Sequence, residues 1–214
     1  MSDYEQYADV TFERVGDSFQ VAAMHPDLRL HGIGRSAAVF RLKEKNRVIK
    51  VFFPGYEQIA TEEAAIYKKL KGLPYFPKCY ESGASYIVMD YIEGKTLFEC
   101  LTEGVWIDPS YIEVVDEALR QARLLGLTPS DVHLRNIILT PNGQIFLIDL
   151  ARFRQGQQID HQWEDLKRMY RLYRYRFMPK QYDESLLNRI AYLYRKFVND
   201  PDSLNCSPSS RQGK

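Results

Sequence analysis

The sequence predicts an α+β fold of two small lobes, and three observations support this prediction. Short strand-like stretches fill the first third of the chain, one long amphipathic helix interrupts them, and the pattern becomes mainly helical from Pro109 onward. The chain has 214 residues, of which 45% are hydrophobic and 27% charged, so it can bury a core. Two lobes of unlike composition leave a natural cleft between them, where ligands commonly bind.

Two predicted antiparallel hairpins open the first lobe. Each consists of two apolar-patterned runs joined by a short polar turn, and they read VTFERVGDSFQVAA and AAVFRLKEKNRVIKVFF. The helix that follows, within YEQIATEEAAIYKKLKGL, has apolar residues at helical spacing and ends at Gly72 and Pro74. The stretch SYIVMDYI then predicts a buried strand that leads to the second lobe.

The second lobe is predicted to be helical, with one small hairpin. A helix in IEVVDEALRQARLLGL ends before Pro129, the run NIILTPNGQIFLIDL predicts a hairpin, and helices follow up to residue 198. We therefore divide the chain into an N-terminal extension of strands, a first lobe with its connection, a short helical lobe, and a polar Pro/Ser-rich tail expected to be disordered. Their ranges are 1–27, 28–92, 93–198 and 199–214.

Composition favours a soluble cytoplasmic protein. The formal net charge is +1, from 29 Lys and Arg against 28 Asp and Glu, so we expect neither nucleic acid nor a membrane as a partner. The cysteines Cys79, Cys100 and Cys206 form no CxxC pair, as expected in a reducing compartment. The start MSDYEQYADV lacks an apolar signal core, and the chain contains no apolar run of 18 residues.

Three positions in the first lobe have the chemistry of a phosphate site. In GIGRSAAVF, Gly32 and Gly34 would let a backbone approach a phosphate chain without an intervening Cβ, although a plain turn has the same pattern. Lys50 lies inside the apolar run RVIKVFF, where its ammonium needs an anionic partner or must reach solvent. The following helix offers Glu62 and Glu63, and Glu63 lies nearer the apolar stripe.

Three polar residues of the second lobe could form a metal site beside an acid. Asn136 follows Asp131 by five residues and Asp149 follows it by 18. Asp149 ends the apolar run IFLID, where a carboxylate is costly unless it binds a cation or donors. A paired hairpin would bring Asn136 and Asp149 to the same end of adjacent strands, which predicts a Mg²⁺ site; a capping Asp and a turn Asn are the alternative.

Taken together, these stretches resemble the protein-kinase-like superfamily, including small bacterial eukaryotic-type serine/threonine kinases, over about Leu28 to Tyr173. The resemblance implies a bilobal α+β kinase-like fold that uses ATP and Mg²⁺, with Asp131 as catalytic base and Asn136 and Asp149 as metal ligands. It also implies a nucleotide site formed by a glycine-rich loop, a phosphate-orienting lysine with its glutamate, and a hinge that includes the gatekeeper methionine. These are Gly32, Ile33, Gly34, Ala37 and Val39; Lys50 and Glu63; and Met89, Asp90 and Ile92.

The sequence also departs from the usual kinase pattern. Pro129 and Ser130 replace the His and Arg before the base, and Leu150 and Ala151 replace the Phe and Gly after the metal-binding Asp. His133 replaces a lysine, so that DVHLRN looks like the DxHxxN motif of aminoglycoside phosphotransferases. Only 65 residues follow Asp149, which leaves no room for the usual peptide-docking helices and resembles the RIO and Bud32 types of atypical kinase.

The favoured hypothesis is a serine/threonine protein kinase with a protein substrate. The alternatives are a small-molecule kinase of the aminoglycoside or choline type, and a partner-dependent nucleotide-binding regulatory subunit. Arg152 to Gln162 contains no Ser, Thr or Tyr, and Ser130 has no charge to receive a phosphate. We therefore expect a site that is active as synthesised or controlled by a partner docking on the lower lobe.

Two features of the second lobe have more than one interpretation. The segment Lys167 to Arg176 interleaves basic and aromatic residues, and it either binds an anionic partner or is a helix that buries its apolar side. In the second case the buried residues would be Leu166, Met169, Tyr170 and Tyr173. Asp165 either anchors the catalytic loop or is an exposed helix acid.

Overall fold

The computed structural model describes residues 4–154 and 161–198, and it has the predicted α+β fold. The predicted disordered tail, 199–214, lies outside the described residues, and the proposed domain boundaries stay predictions. No helix in the described ranges is long and apolar enough to span a bilayer.

An antiparallel hairpin of β1 (Thr11–Val15) and β2 (Ser18–Ala23) forms the N-terminal extension, as predicted. Gly16 in its turn has a φ of 62°, which glycine adopts without strain. The hairpin packs on the first lobe through aromatic contacts: the rings of Phe12 and Phe19 lie 4.8 and 4.6 Å from that of Phe53.

The first lobe is a five-stranded antiparallel sheet covered by one helix. In chain order its elements are β3 (Leu28–Ile33), β4 (Ala37–Leu42), β5 (Arg47–Phe52), α1 (Glu57–Lys69), β6 (Cys79–Ser82) and β7 (Tyr86–Asp90). The sheet order is β3-β4-β5-β7-β6, so β5 lies at the centre and its residues are nearly all buried. The short strand β6 was not predicted, because its run CYES has no clear apolar alternation.

Within the described ranges, the second lobe contains a small three-stranded sheet and four α-helices. Its elements are β8 (Lys95–Thr96), α2 (Leu97–Glu103), α3 (Pro109–Leu124), β9 (Ile137–Leu139), β10 (Ile145–Leu147), α4 (Gln162–Tyr173) and α5 (Glu184–Val198). The hairpin of β9 and β10 was predicted, whereas β8 and α2 were not. A signal for α2 was present: Thr96 and Glu99 form a reciprocal capping box at its start.

The lower core forms around α3, whose buried face consists of Val115, Ala118, Leu119 and Ala122. The prediction of which α4 residues are buried is partly wrong. Trp163 and Tyr173 are its buried residues, whereas Met169 is 51% exposed. The indole Nε1 of Trp163 donates a hydrogen bond to Asp116 Oδ1 at 2.8 Å, which fixes the position of the ring. The sequence pattern could not show this contact.

Among the residues described, the partners of Asp165 lie in α4 and α5 and not in the catalytic loop. Its carboxylate accepts hydrogen bonds from Arg168 in the same helix and from the Tyr194 hydroxyl, at 2.9 and 2.8 Å. The second bond joins α4 to α5.

Candidate active site

Lys50 lies at the centre of the first lobe and is paired with Glu63. It faces Val39 of β4 and Ile87 of β7 across the sheet, and its side chain is buried. Its Nζ donates to Glu63 Oε1 and Oε2 at 3.0 and 2.8 Å, and Glu63 is fully buried on α1. The neighbouring Glu62 lies instead beside Arg154, with its Oε2 2.7 Å from the Arg154 Nε.

Lys50 also forms an ion pair with Asp149, which links the two lobes. Lys50 Nζ also donates to Asp149 Oδ1 at 2.7 Å, across 99 positions of sequence. Asp149 lies two residues after β10, and its side chain is 55% exposed, so this carboxylate faces the cleft. One lysine thus holds a buried carboxylate of the upper lobe and an accessible carboxylate of the lower lobe.

The ionisation of this cluster follows from its burial and its charges. Burial alone would lower the pKa of Lys50, but Glu63 and Asp149 outweigh it and hold the pKa above its ordinary value. Burial raises the pKa of Glu63, against the opposing effect of the Lys50 ammonium. The pKa of Asp149, which burial would raise, lies below its ordinary value mainly because of Lys50. Lys50 is therefore a cation and Asp149 an anion at neutral pH.

Asp131 and Asp149 share an unusual backbone conformation. Their φ angles are 60° and 57°, and within the described ranges they are the non-glycine residues with positive φ. This left-handed region costs a residue with a Cβ about 1–3 kcal/mol and is often found at functional sites. The two acids that the sequence singled out are thus the two that the fold holds in a strained conformation.

The loop around Asp131 is fixed by two polar contacts. Asn136 Nδ2 donates to the Asp131 carbonyl at 3.3 Å, which leaves its Oδ1 available as an oxygen donor to a cation. Ser130 is buried, and its hydroxyl donates to the Arg152 carbonyl at 2.5 Å. Ser130 therefore ties this loop to the segment after Asp149, a role that its sequence context did not indicate.

The Asp131 carboxylate is surrounded by basic groups. Its Oδ2 lies 3.3 Å from Arg152 Nε and 3.5 Å from a terminal nitrogen of Arg35, and its Oδ1 lies 3.8 Å from His133 Nε2. Burial lowers the pKa of His133, so this imidazole is uncharged at neutral pH. The two arginines were not predicted, although each lies within three residues of a predicted site residue.

A cavity of about 600 Å³ between the lobes contains most of the predicted residues. This volume lies within the roughly 300–1,000 Å³ of typical ligand sites. The predicted residues that line it are Gly34, Ala37, Val39, Lys50, Glu63, Met89, Asp90, Ile92, Asp131, Asn136 and Asp149. Gly32 and Ile33 do not line it; they lie on β3, and Ile33 is 47% exposed.

The rear and the mouth of the cavity contain residues that the sequence did not single out. The Tyr67 hydroxyl at the rear is buried and has no hydrogen-bond partner in the described part of the chain. It lies one helical turn after Glu63, a spacing that could have indicated its position. At the mouth, His31 makes an edge contact with Tyr91 of the connection, with ring centroids 5.6 Å apart.

The segment that connects the two lobes, Asp90 to Ile92, lines this cavity and offers it backbone groups. The Asp90 carboxylate accepts from Lys78 N and the Tyr80 hydroxyl at 2.9 and 2.7 Å, so it is occupied within the sheet. The Asp90 and Tyr91 amides donate to the Lys78 and Asn46 carbonyls. The Ile92 amide has no backbone acceptor among the residues described, so it is available to a ligand.

The donor set fits a magnesium ion that is shared with a substrate. Asp149 and Asn136 offer a carboxylate and an amide oxygen, and the described residues contain no cluster of three His, Cys, Asp or Glu side chains able to hold a metal. Mg²⁺ commonly takes one or two protein ligands and completes its shell with water and phosphate oxygens. The Asp149 and Asn136 oxygens therefore fit a Mg²⁺ ion of this kind.

A cleft with this cluster of charges contains the groups that a phosphotransferase needs. No family model matches the chain. The chain is 49% identical over 173 residues to "Putative serine/threonine-protein kinase YrzF" of Bacillus subtilis (strain 168). The match covers 79% of this chain and 80% of that protein. The chain therefore belongs to the protein-kinase-like superfamily, in the family of this relative.

Among solved structures, the chain has a match to the kinase PK-1 of the Cydia pomonella granulovirus. Its TM-score is 0.47 at 17% identity, and the match covers 58% of this chain and 51% of that one. The chain thus spans about half the length of the viral kinase.

Proposed function

We propose that this chain is an ATP-dependent, Mg²⁺-requiring serine/threonine protein kinase. One observation carries the proposal: Lys50 joins Glu63 and Asp149 across a cavity that Asp131 and Asn136 also line. These are the groups needed to hold phosphates, bind a cation and aim a hydroxyl.

Each residue would then have a distinct role. Lys50, held in the sheet by Glu63, would bind phosphate oxygens of ATP. Asp149 and Asn136 would hold Mg²⁺, which neutralises phosphate charge when bound. Asp131 would orient the acceptor hydroxyl and accept its proton, since its carboxylate is accessible to the cleft at 25% exposure.

The protein acceptor is supported by the description of the Bacillus subtilis relative. A small-molecule acceptor is the second candidate, because His133 stands where protein kinases have a lysine and lies beside Asp131. The two differ in which compound receives the phosphoryl group. Labelled ATP with a host lysate, followed by separation of labelled proteins from labelled small molecules, distinguishes them.

The variant Asp131→Asn tests the base. Turnover should fall by about 10²–10⁴-fold, the range for loss of a general base, while ATP affinity stays within a few-fold. Phosphoryl transfer to host proteins and ATP binding by calorimetry measure the two quantities. Asp17→Asn, at an exposed turn of the N-terminal hairpin, is the matched control. Retained activity in Asp131→Asn would refute the assignment, and ATP binding without any transfer by wild type would favour a regulatory subunit.

The variant Asp149→Ala tests the metal site. It should remove the Mg²⁺-dependent part of ATP binding, because a carboxylate contributes most of the charge that attracts the cation. Asn136→Ala should have a smaller effect, since its donor is neutral. Identical Mg²⁺ titrations for wild type and Asp149→Ala would remove this site from the proposal.

A further inference from the structure

The two guanidinium groups beside Asp131 come from different lobes. Arg35 lies in the loop between β3 and β4, and Arg152 lies three residues after Asp149. Their side chains are 78% and 54% exposed, so each could point into solvent. Like charges repel, and an anion between two of them offsets this repulsion. In this structure the shared anion is the Asp131 carboxylate.

The other cations of the cleft have different partners. Lys50 is bound to Glu63 and Asp149, and Arg154 lies beside Glu62. His133, at the place of the usual lysine, lies farther from the Asp131 carboxylate than either guanidinium, with its Nε2 3.8 Å from Oδ1. Within the described ranges, the positive charge beside the proposed base therefore comes from Arg35 and Arg152.

We propose that Arg35 and Arg152 form an anion-binding site beside Asp131, which takes an anionic phosphoryl or carboxylate group of a ligand; this role rests on the proposed function. The anion is either the terminal phosphoryl group of ATP or an acid next to the acceptor hydroxyl. Arginine suits both, because its planar fork of donors matches the oxygens of phosphate and carboxylate.

The position of Arg35 is consistent with this role. Its guanidinium lies 3.5 Å from Asp131 Oδ2, and Arg35 lines the same cavity as Lys50 and Asp149. A group carried between the cation ligand and the base would pass within reach of its guanidinium.

The test uses Arg35→Gln, Arg152→Gln and the double variant, with Arg29→Gln as matched control. Arg29 is an exposed arginine of β3 that does not line the cavity. Calorimetry gives the affinity of each protein for Mg²⁺ with ATP and with ADP. A degenerate serine peptide library, with Asp or Ala fixed next to the serine, gives the acceptor preference.

Two results support the inference and identify the anion. A double variant that loses its preference for ATP over ADP by about tenfold, the size of one charge-assisted hydrogen bond, indicates that the site holds the terminal phosphoryl group. A loss of the preference for Asp over Ala peptides, with both nucleotide affinities unchanged, indicates an acceptor acid. If both ratios equal those of Arg29→Gln, the inference is wrong while the proposed function stands. A wild-type protein that binds neither nucleotide would overturn the proposed function as well.

Discussion

The buried pair of Lys50 and Glu63 makes a sharp prediction about stability. Lys50→Met leaves the fully buried Glu63 without its cation, and breaking a buried pair from one side costs about 3–5 kcal/mol of unfolding free energy. Glu63→Leu should cost less, because Lys50 keeps Asp149 at 2.7 Å. The double variant, Lys50→Met with Glu63→Leu, should lie within about 1 kcal/mol of wild type, because an apolar pair of similar volume removes the desolvation cost of both charges.

The pH dependence of Lys50→Met follows from the raised pKa of Glu63. Burial raises this pKa already in the presence of Lys50, and removal of the ammonium takes away the opposing effect. The folded variant then binds a proton more tightly than the unfolded chain. The stability loss should therefore be largest above the folded pKa and should shrink as the pH falls toward the unfolded value of about 4.3.

Urea unfolding followed by circular dichroism at several pH values measures these free energies. The double-mutant cycle should give a coupling of about 3 kcal/mol. Additive losses, with a double variant as unstable as the sum of the singles, would show that Lys50 and Glu63 do not stabilise the fold as a pair. A loss in Lys50→Met that is independent of pH would show that Glu63 is not the group left unpaired.

Three further predictions concern packing, regulation and thiol reactivity. Gly94→Ala should destabilise the fold by about 1–3 kcal/mol in urea unfolding, because its Cβ would overlap the Leu139 carbonyl oxygen. Gly32→Ala is the control and should leave the stability unchanged, because nothing lies within 4 Å of a Cβ there. Phosphatase-treated and untreated protein should consume ATP at the same initial rate, because the Ser130 hydroxyl already ties the segment after Asp149 to the catalytic loop; a large drop that ATP preincubation restores would contradict this. Cys100, whose pKa burial raises to about 11, should react slowly with iodoacetamide at pH 8 until the protein unfolds, as peptide mass spectrometry can measure.

The local sequence was sufficient to predict those elements whose pattern lies in neighbouring residues. Strand runs and turn residues predicted the hairpins of β1 with β2, β4 with β5 and β9 with β10. A lysine inside an apolar strand and an acid at the end of another were recognisable because burying a charge is costly without a partner. The hairpin pattern placed Asn136 and Asp149 at the same end of adjacent strands beside Asp131, and all three line the same cavity. The missed helix α2 is seven residues long, too short to show its period.

The sequence by itself determined which residues carry charge in the cleft, whereas the tertiary structure decided which of them meet. Adjacent positions on a helix differ by about 100° in direction, so the apolar stripe already favoured Glu63 over Glu62 as the partner of Lys50, whereas packing decided that Glu62 meets Arg154. The same packing took Gly32 and Ile33 out of the cavity lining and brought Arg35 and Arg152 to Asp131. These contacts join residues from two lobes, and their distances depend on how the lobes fold against each other. No pattern within a short window of sequence contains that information.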